Sequence, residues 1–168
     1  MPSSCAIKCQ QIILRDYGID VTEEELRNIA IEHGWYDEEG GVCMSNNGKL
    51  LGCFGIEYHH SQSNTLQDIQ LELSNGHRVM VNVSLAILSG QIVEDRHHEA
   101  GHAVVVTNVV GGGNGYVDII NPATGQVNQR CELIKFETAW SNSRCYMLAT
   151  TAQAQFMYDG IARKMKKK

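Results

Sequence analysis

A chain of 168 residues is long enough for one globular domain with its own core, and its net charge of −5 argues against nucleic-acid binding. It contains no signal-peptide pattern and no apolar run long enough to span a bilayer, so we predict no membrane association. Six cysteines in a chain so well supplied with Val, Ile and Leu do not indicate a disulfide framework, and we expect free thiols and a cytosolic site of action.

The first half of the chain has the apolar spacing of helices. The spacing predicts helices over residues 3–18, 21–34 and 64–76, each ending at a glycine, and a shorter helix around Lys49–Phe54 after a glycine-rich loop. Each long helix starts at residues that can cap it: Ser3 or Ser4, Thr22 in a capping box with Glu25, and Asn64 or Thr65.

The second half changes to the alternation of strands. We predict strands over residues 77–84, 102–110, 116–120 and 144–150, with turns at "GGGNG" and "NPATG". Helices first and strands second indicate an α+β fold, with a helical N-terminal half packed on an antiparallel β-sheet. We predict a single domain over 1–168, with a helical half at about 1–75, a sheet half at about 76–155 and a solvated basic tail at 160–168.

The segment His98-Glu99-Ala100-Gly101-His102 matches the zinc-peptidase pattern H-E-x-x-H, which requires a helix. Gly101 and the three valines that follow His102 favour a strand instead. On a strand the two histidines would lie about 13 Å apart, at about 3.3 Å per residue. They could not then share a zinc ion with bonds of about 2 Å. We predict no metal site and no cofactor, and we expect His98 to be a solvated loop residue.

A cysteine, a histidine and an amide indicate a different chemistry. Cys5 lies at the start of a predicted helix, where the helix dipole favours the thiolate, a strong nucleophile. His102 opens a strand and is the candidate general base and acid. Asn121 ends the partner strand, so a hairpin would place it beside His102, where it could orient the ring. Asp118 is the alternative orienting residue, on the opposite face of the strand from Asn121.

These residues lie within motifs that resemble a known family. "CAIKCQQIILRDYG" resembles the opening motif of the papain-like cysteine peptidases of the bacteriocin-processing, double-glycine type. "GHAVVVTNVVGGGNGYVDIINPATG" resembles their closing motif, and "LIKFETAW" a later segment with Phe and Trp. The resemblance runs from about Cys5 to Thr150.

The resemblance implies a papain-like fold, with Cys5 as nucleophile, His102 as base and acid, and Asn121 as orienting residue. Many members have aspartate where Asn121 stands, although an amide oxygen can also accept from the ring. Members usually carry a glutamine several residues before the cysteine, which lines the oxyanion hole. Only Met1–Ser4 precede Cys5 here, so we expect that another donor serves or that the chain is part of a longer protein.

The sequence therefore predicts a thiol peptidase acting on a protein or peptide substrate, with Gly-Gly cleavage sites implied by the resemblance alone. A toxin or effector domain delivered as part of a larger secreted protein is one setting, with a cognate inhibitor or immunity protein as a partner. Three alternatives stay open: a glutamine deamidase or acyl transferase on the same residues, a zinc metallopeptidase at "HEAGH", and an inactive binding module.

Overall fold

The computed structural model describes residues 4–37, 41–90, 101–124 and 126–154. The helices within these ranges are α1 (Cys5–Asp16), α2 (Glu23–Glu32), α3 (Lys49–Cys53), α4 (Leu66–Ser74), α5 (Leu85–Leu88) and α6 (Leu133–Ser141). The strands are β1 (Tyr36–Asp37), β2 (Gly41–Val42), β3 (Tyr58–Ser61), β4 (Val79–Val83), β5 (His102–Val110), β6 (Tyr116–Asn121), β7 (Gln126–Glu132) and β8 (Met147–Thr150).

Six of the strands form one antiparallel sheet in the order β3-β8-β4-β5-β6-β7, and β1 pairs with β2 separately. Every residue of β4 and β8 is buried, whereas the polar strand β3 lies at one edge and β7 at the other. Buried β-branched strands at the centre and polar strands at the edges are typical of a sheet covered on both faces.

Helices cover both faces of this sheet. On one face, α1, α2 and α3 pack against alternate residues of the central strands, which include Met80, Ala103 and Val105. On the other face, α4, α5 and α6 pack against the intervening residues, which include Val81 and Val104. The predicted α+β fold is therefore confirmed, although α5 and α6 fall in the predicted sheet half and β3 in the predicted helical half.

Helix α1 is held firmly against the sheet at both ends. Its apolar stripe is buried, as the spacing predicted, and includes Cys9 and Ile13 at zero exposure. At its C-terminal end, Asp16 accepts a hydrogen bond from the buried Arg78 guanidinium at 2.7 Å. Burial of the stripe fixes the rotation of α1, and the ion pair fixes its axial position. Together they place the N-terminal end of α1 over the start of β5.

Two local predictions are wrong. Ser4 makes no side-chain cap; its hydroxyl donates instead to Glu23 at 2.9 Å, and Ser3 lies outside the described residues. The strand predicted over 144–150 begins only at Met147. Arg144 and Cys145 have positive φ angles of 58° and 54°, which belong to a tight turn after α6 and not to a strand. The capping boxes at Thr22 and Thr65 are both present, as predicted.

Candidate active site

The structure brings Cys5 to the backbone on either side of His102. The Cys5 thiol donates to the Gly101 carbonyl oxygen at 3.7 Å, and the Ala103 N–H donates to the sulfur at 3.3 Å. Cys5 also interacts with the His102 side chain, and this interaction is one of the causes that raise the pKa of His102. Cys5 is 5 % exposed and His102 7 %, so the pair lies at the rim of the core with a small opening to solvent.

Asn121 lies on the other side of the His102 ring. Its Oδ1 atom is 2.8 Å from His102 Nε2, and the residue is only 1 % exposed. The contact arises because β5 and β6 form an antiparallel hairpin, which sets the start of β5 beside the end of β6. Cys5, His102 and Asn121, proposed together from the sequence, therefore form one continuous line of contacts.

The contacts of Asn121 determine which ring nitrogen carries the proton. The Ala123 N–H donates to Asn121 Oδ1 at 3.0 Å, so this end of the amide is the acceptor. Asn121 Nδ2 donates at 3.0 Å to Gln129 Oε1, which agrees with the same orientation. His102 Nε2 must then be the protonated donor to Asn121. This leaves Nδ1 as the ring atom for Cys5.

The electrostatics of the site favour a charged imidazole. Burial alone would lower the pKa of His102. The hydrogen bond and the charge of Cys5, together with the hydrogen bond that His102 donates to Asn121, outweigh burial and raise the pKa of His102 above its ordinary value of 6.5. A raised imidazole pKa beside a thiol at a helix N-terminus is the environment that stabilises a thiolate–imidazolium pair.

Asp118, the alternative orienting residue, is engaged elsewhere. Both of its carboxylate oxygens accept from Arg130, at 2.9 Å and 3.2 Å, and the Arg130 guanidinium also lies over the Tyr116 ring, 3.7 Å from its centroid. Asp118 and Asn121 are three positions apart on one strand, so their side chains lie on opposite faces. The structure therefore places Asn121, and not Asp118, against the His102 ring.

The zinc-peptidase pattern is only partly within the described chain. His98 and Glu99 lie outside it, while Gly101 is non-helical and His102 opens strand β5. The pattern requires both histidines to lie on one helix, and His102 lies on a strand instead. Across the ranges that the structure describes, no three His, Cys, Asp or Glu side chains are grouped to hold a metal ion, and no helix is both long and apolar enough to cross a membrane.

The other cysteines lie in different environments. Burial, reinforced by the neighbouring Cys5, raises the pKa of the Cys9 thiol well above its ordinary value. Burial also raises the pKa of Cys131 to about 11 and raises that of Cys145. Cys43 is exposed, and hydrogen bonds with Ser45 lower its pKa, while Cys53 is exposed as well. Among the described residues, Cys43 and Cys53 are the exposed thiols outside the site. Cys145 is partly buried, and its raised pKa lowers its reactivity.

Sequence reasoning missed Gln129 and the Ala123 N–H, which together surround the Asn121 amide. Gln129 lies on β7, a strand whose polar sequence gave no alternating apolar signal. The Ala123 contact belongs to the turn after β6. The signal that could have indicated this contact is an asparagine placed just before a proline in a turn sequence.

The fold is similar to that of solved peptidase structures. A protein named as a C39-like peptidase from Bacillus anthracis matches with a TM-score of 0.64 at 14 % identity, over 90 % of each chain. The peptidase domain of Streptococcus ComA, a bifunctional ABC transporter involved in a quorum-sensing pathway, matches with a TM-score of 0.62 at 16 % identity, over 91 % of this chain and 97 % of that one. No family model and no curated protein sequence matches the chain. The predicted papain-like architecture is thus confirmed at the level of the fold.

Proposed function

We propose that this chain is a thiol peptidase that cleaves peptide bonds in a protein or peptide substrate through an acyl-enzyme on Cys5. The observation that carries the proposal is the line of contacts from the Cys5 thiol through the His102 ring to the Asn121 amide. This line lies in a fold similar to that of two proteins named as peptidases.

The proposed reaction uses these three side chains in turn. The Cys5 thiolate attacks the carbonyl carbon of the scissile bond, a C–S bond forms, and the carbonyl oxygen takes the negative charge. His102, protonated at Nδ1, gives that proton to the leaving nitrogen as the C–N bond breaks. Water then transfers a proton to Nδ1 and attacks the thioester, which releases the carboxylate and restores Cys5. Asn121 Oδ1 accepts from Nε2 throughout and keeps the ring in this orientation.

The negative charge on the tetrahedral oxygen requires a donor. Cys5 is the first residue of α1, so its own N–H lies at the positive end of the helix dipole and is the donor that the fold offers nearest to the sulfur. We assign it this role. The resemblance implies a glutamine side chain as a second donor. We assign no described residue to that role.

A peptide library is the test of this proposal. The chain and its Cys5→Ala variant are incubated with peptides prepared from a proteolysed cell lysate, and mass spectrometry identifies the new termini. We expect new termini only with the unmodified chain, and enrichment of glycine before the cleaved bond if the Gly-Gly preference holds. Conversion of glutamine to glutamate without new termini would instead establish the deamidase alternative. If neither sample shows a reaction, the inactive binding module is the alternative that remains.

The two accessible cysteines allow a direct measurement on Cys5. In a Cys43→Ser/Cys53→Ser background, we expect iodoacetamide to modify one thiol, Cys5, with simultaneous loss of peptide cleavage. Tryptic mapping locates the modification. Modification at Cys9 without modification at Cys5 would contradict the assignment of the nucleophile.

Cys9, one helical turn after Cys5, is expected to have a structural role only. It is fully buried, and burial raises the pKa of its thiol, so it is a poor nucleophile. Cys9→Ala should keep most of the cleavage activity and lower the free energy of unfolding by about 1 kcal/mol, the cost of a small cavity. Urea unfolding monitored by Trp fluorescence measures the loss. A stable but inactive Cys9→Ala protein would refute the structural role.

Delivery inside a larger protein, a cytosolic site of action and a cognate inhibitor stay predictions of the sequence.

A further inference from the structure

We infer that Gln129 is a positioning residue that fixes the orientation of the Asn121 side-chain amide and, through it, the proton position on His102. This inference deepens the proposed function and rests on it for its kinetic consequence. Its structural part concerns hydrogen bonds alone and is tested separately.

The position of Gln129 depends on an irregularity of the sheet. Strands β6 and β7 pair regularly from Tyr116 opposite Glu132 to Ile119 opposite Gln129, but the next pair is Asn121 opposite Gln126. Two steps along β6 therefore match three along β7, which is a β-bulge on β7. Gln129 lies at the last regular pair before the bulge, and its Oε1 accepts from Asn121 Nδ2 at 3.0 Å.

An asparagine in this position needs such a partner because its amide has two chemically different ends. With Oδ1 towards His102, the ring carries its proton on Nε2 and presents Nδ1 to Cys5. With the amide reversed, Nδ2 would face Nε2, and the neutral ring would carry its proton on Nδ1. The nitrogen facing the Cys5 thiol could then no longer accept the thiol proton. A carboxylate has no such ambiguity, since both of its oxygens accept.

Two contacts select the productive orientation. The Ala123 N–H donates to Oδ1, and Gln129 Oε1 accepts from Nδ2. If the Asn121 amide were reversed, its NH2 group would face the Ala123 N–H. Its Oδ1 would face Gln129 Oε1, so the Gln129 amide would have to turn over as well. Asn121 is almost fully buried, so water cannot replace these partners at low cost. Loss of one neutral hydrogen bond of this kind corresponds to a change of about 3- to 10-fold in the ratio of the two orientations.

Three variants isolate the role of Gln129. Gln129→Leu removes the acceptor at similar volume, Gln129→Glu keeps an acceptor, and Asn128→Leu changes the exposed neighbouring residue of the same strand. On a peptide cleaved by the unmodified chain, we expect Gln129→Leu to lower kcat about 3- to 10-fold with little change in KM. Gln129→Glu should recover most of that loss, and Asn128→Leu should behave as the unmodified chain.

The Asn121→Asp variant is the background in which the role of Gln129 can be separated from a packing role. With a carboxylate against His102 there is no amide to reverse, so Gln129→Leu should then change kcat by less than about twofold. The physical readout is ¹⁵N NMR of histidine-labelled protein in the Cys5→Ala background, where no thiolate holds the ring charged. We expect Nε2 to carry the proton of His102, and a measurable fraction on Nδ1 after Gln129→Leu. A His102→Gln spectrum assigns the signal.

The outcomes separate the inference from the function on which it rests. If no peptide is cleaved, the proposed function fails, and the ¹⁵N spectrum still decides whether Gln129 sets the proton position. If peptides are cleaved but Gln129→Leu shows an unchanged spectrum and unchanged kcat, the inference is wrong. Equal losses in Gln129→Leu and Gln129→Glu, or an equal loss in the Asn121→Asp background, would also overturn it by indicating a packing role. Thermal unfolding of each variant identifies any that does not fold.

Discussion

Replacing His102 with alanine is expected to remove nearly all peptide cleavage, by about 10⁴-fold or more in kcat/KM. His102 contacts the Cys5 thiol and carries the proton that the leaving nitrogen requires, so the nucleophile and its base act as one unit. For the same reason the Cys5→Ala/His102→Ala double variant should be scarcely less active than either single variant. Steady-state cleavage of one peptide by the four proteins measures this non-additivity.

The matched control is the double replacement of His98 and Glu99 by alanine. These residues belong to "HEAGH" but lie outside the described chain, and the thiol chemistry makes no use of them. We expect the double variant to keep most of the activity, and a metal chelator to have no effect. A zinc peptidase would give the reverse, because Glu99 would then be the general base and His98 a ligand. An inactive Glu99→Ala variant beside an active Cys5→Ala variant would overturn the thiol mechanism.

The sequence predicted the centre of the fold better than its edges. Strands β4 and β5 are buried on both faces over most of their length, so both are rich in valine and are easily recognised in the sequence. The edge strands β3 and β7 have mostly polar sequences, "YHHS" and "QVNQRCE", and neither was predicted. Helix α6 was missed for another reason. Its buried residues Phe136, Ala139 and Trp140 have helical spacing, but the short segment has no side-chain cap at its start to mark a helix.

The geometry of the candidate site was predictable in part. A helix start, a strand start and a strand end each limit where a residue can lie, and the β5–β6 hairpin does bring Asn121 to His102. The partners of the Asn121 amide could not be predicted in this way. Gln129 reaches it from an unassigned edge strand just before a bulge, and no periodic pattern reports a bulge. The catalytic roles of the three residues stay predictions.

Replacing Asn121 with alanine should have the second-largest effect, a fall of about 10- to 100-fold in kcat with the fold retained. The imidazole would lose the acceptor that holds Nε2–H, and the ring could rotate or carry its proton on Nδ1. The variant should also shift the pH dependence. The hydrogen bond to Asn121 is one of the interactions that raise the pKa of His102 against the effect of burial. Without it, the imidazolium should lose its proton at a lower pH.

The sign of that shift distinguishes a mechanistic role from a structural one. Cleavage falls on the alkaline side when the imidazolium that protonates the leaving nitrogen is lost, so a raised His102 pKa extends activity to higher pH. Asn121→Ala should move this alkaline limb to lower pH. Asn121→Asp should leave it in place or move it higher, because a carboxylate stabilises the imidazolium more strongly than an amide does. Asp118→Ala is the matched control on the same strand, and it removes a partner of Arg130 only. A larger loss of activity in Asp118→Ala than in Asn121→Ala would assign the orienting role to Asp118. An upward shift of the alkaline limb in Asn121→Ala would show that Asn121 does not stabilise the imidazolium.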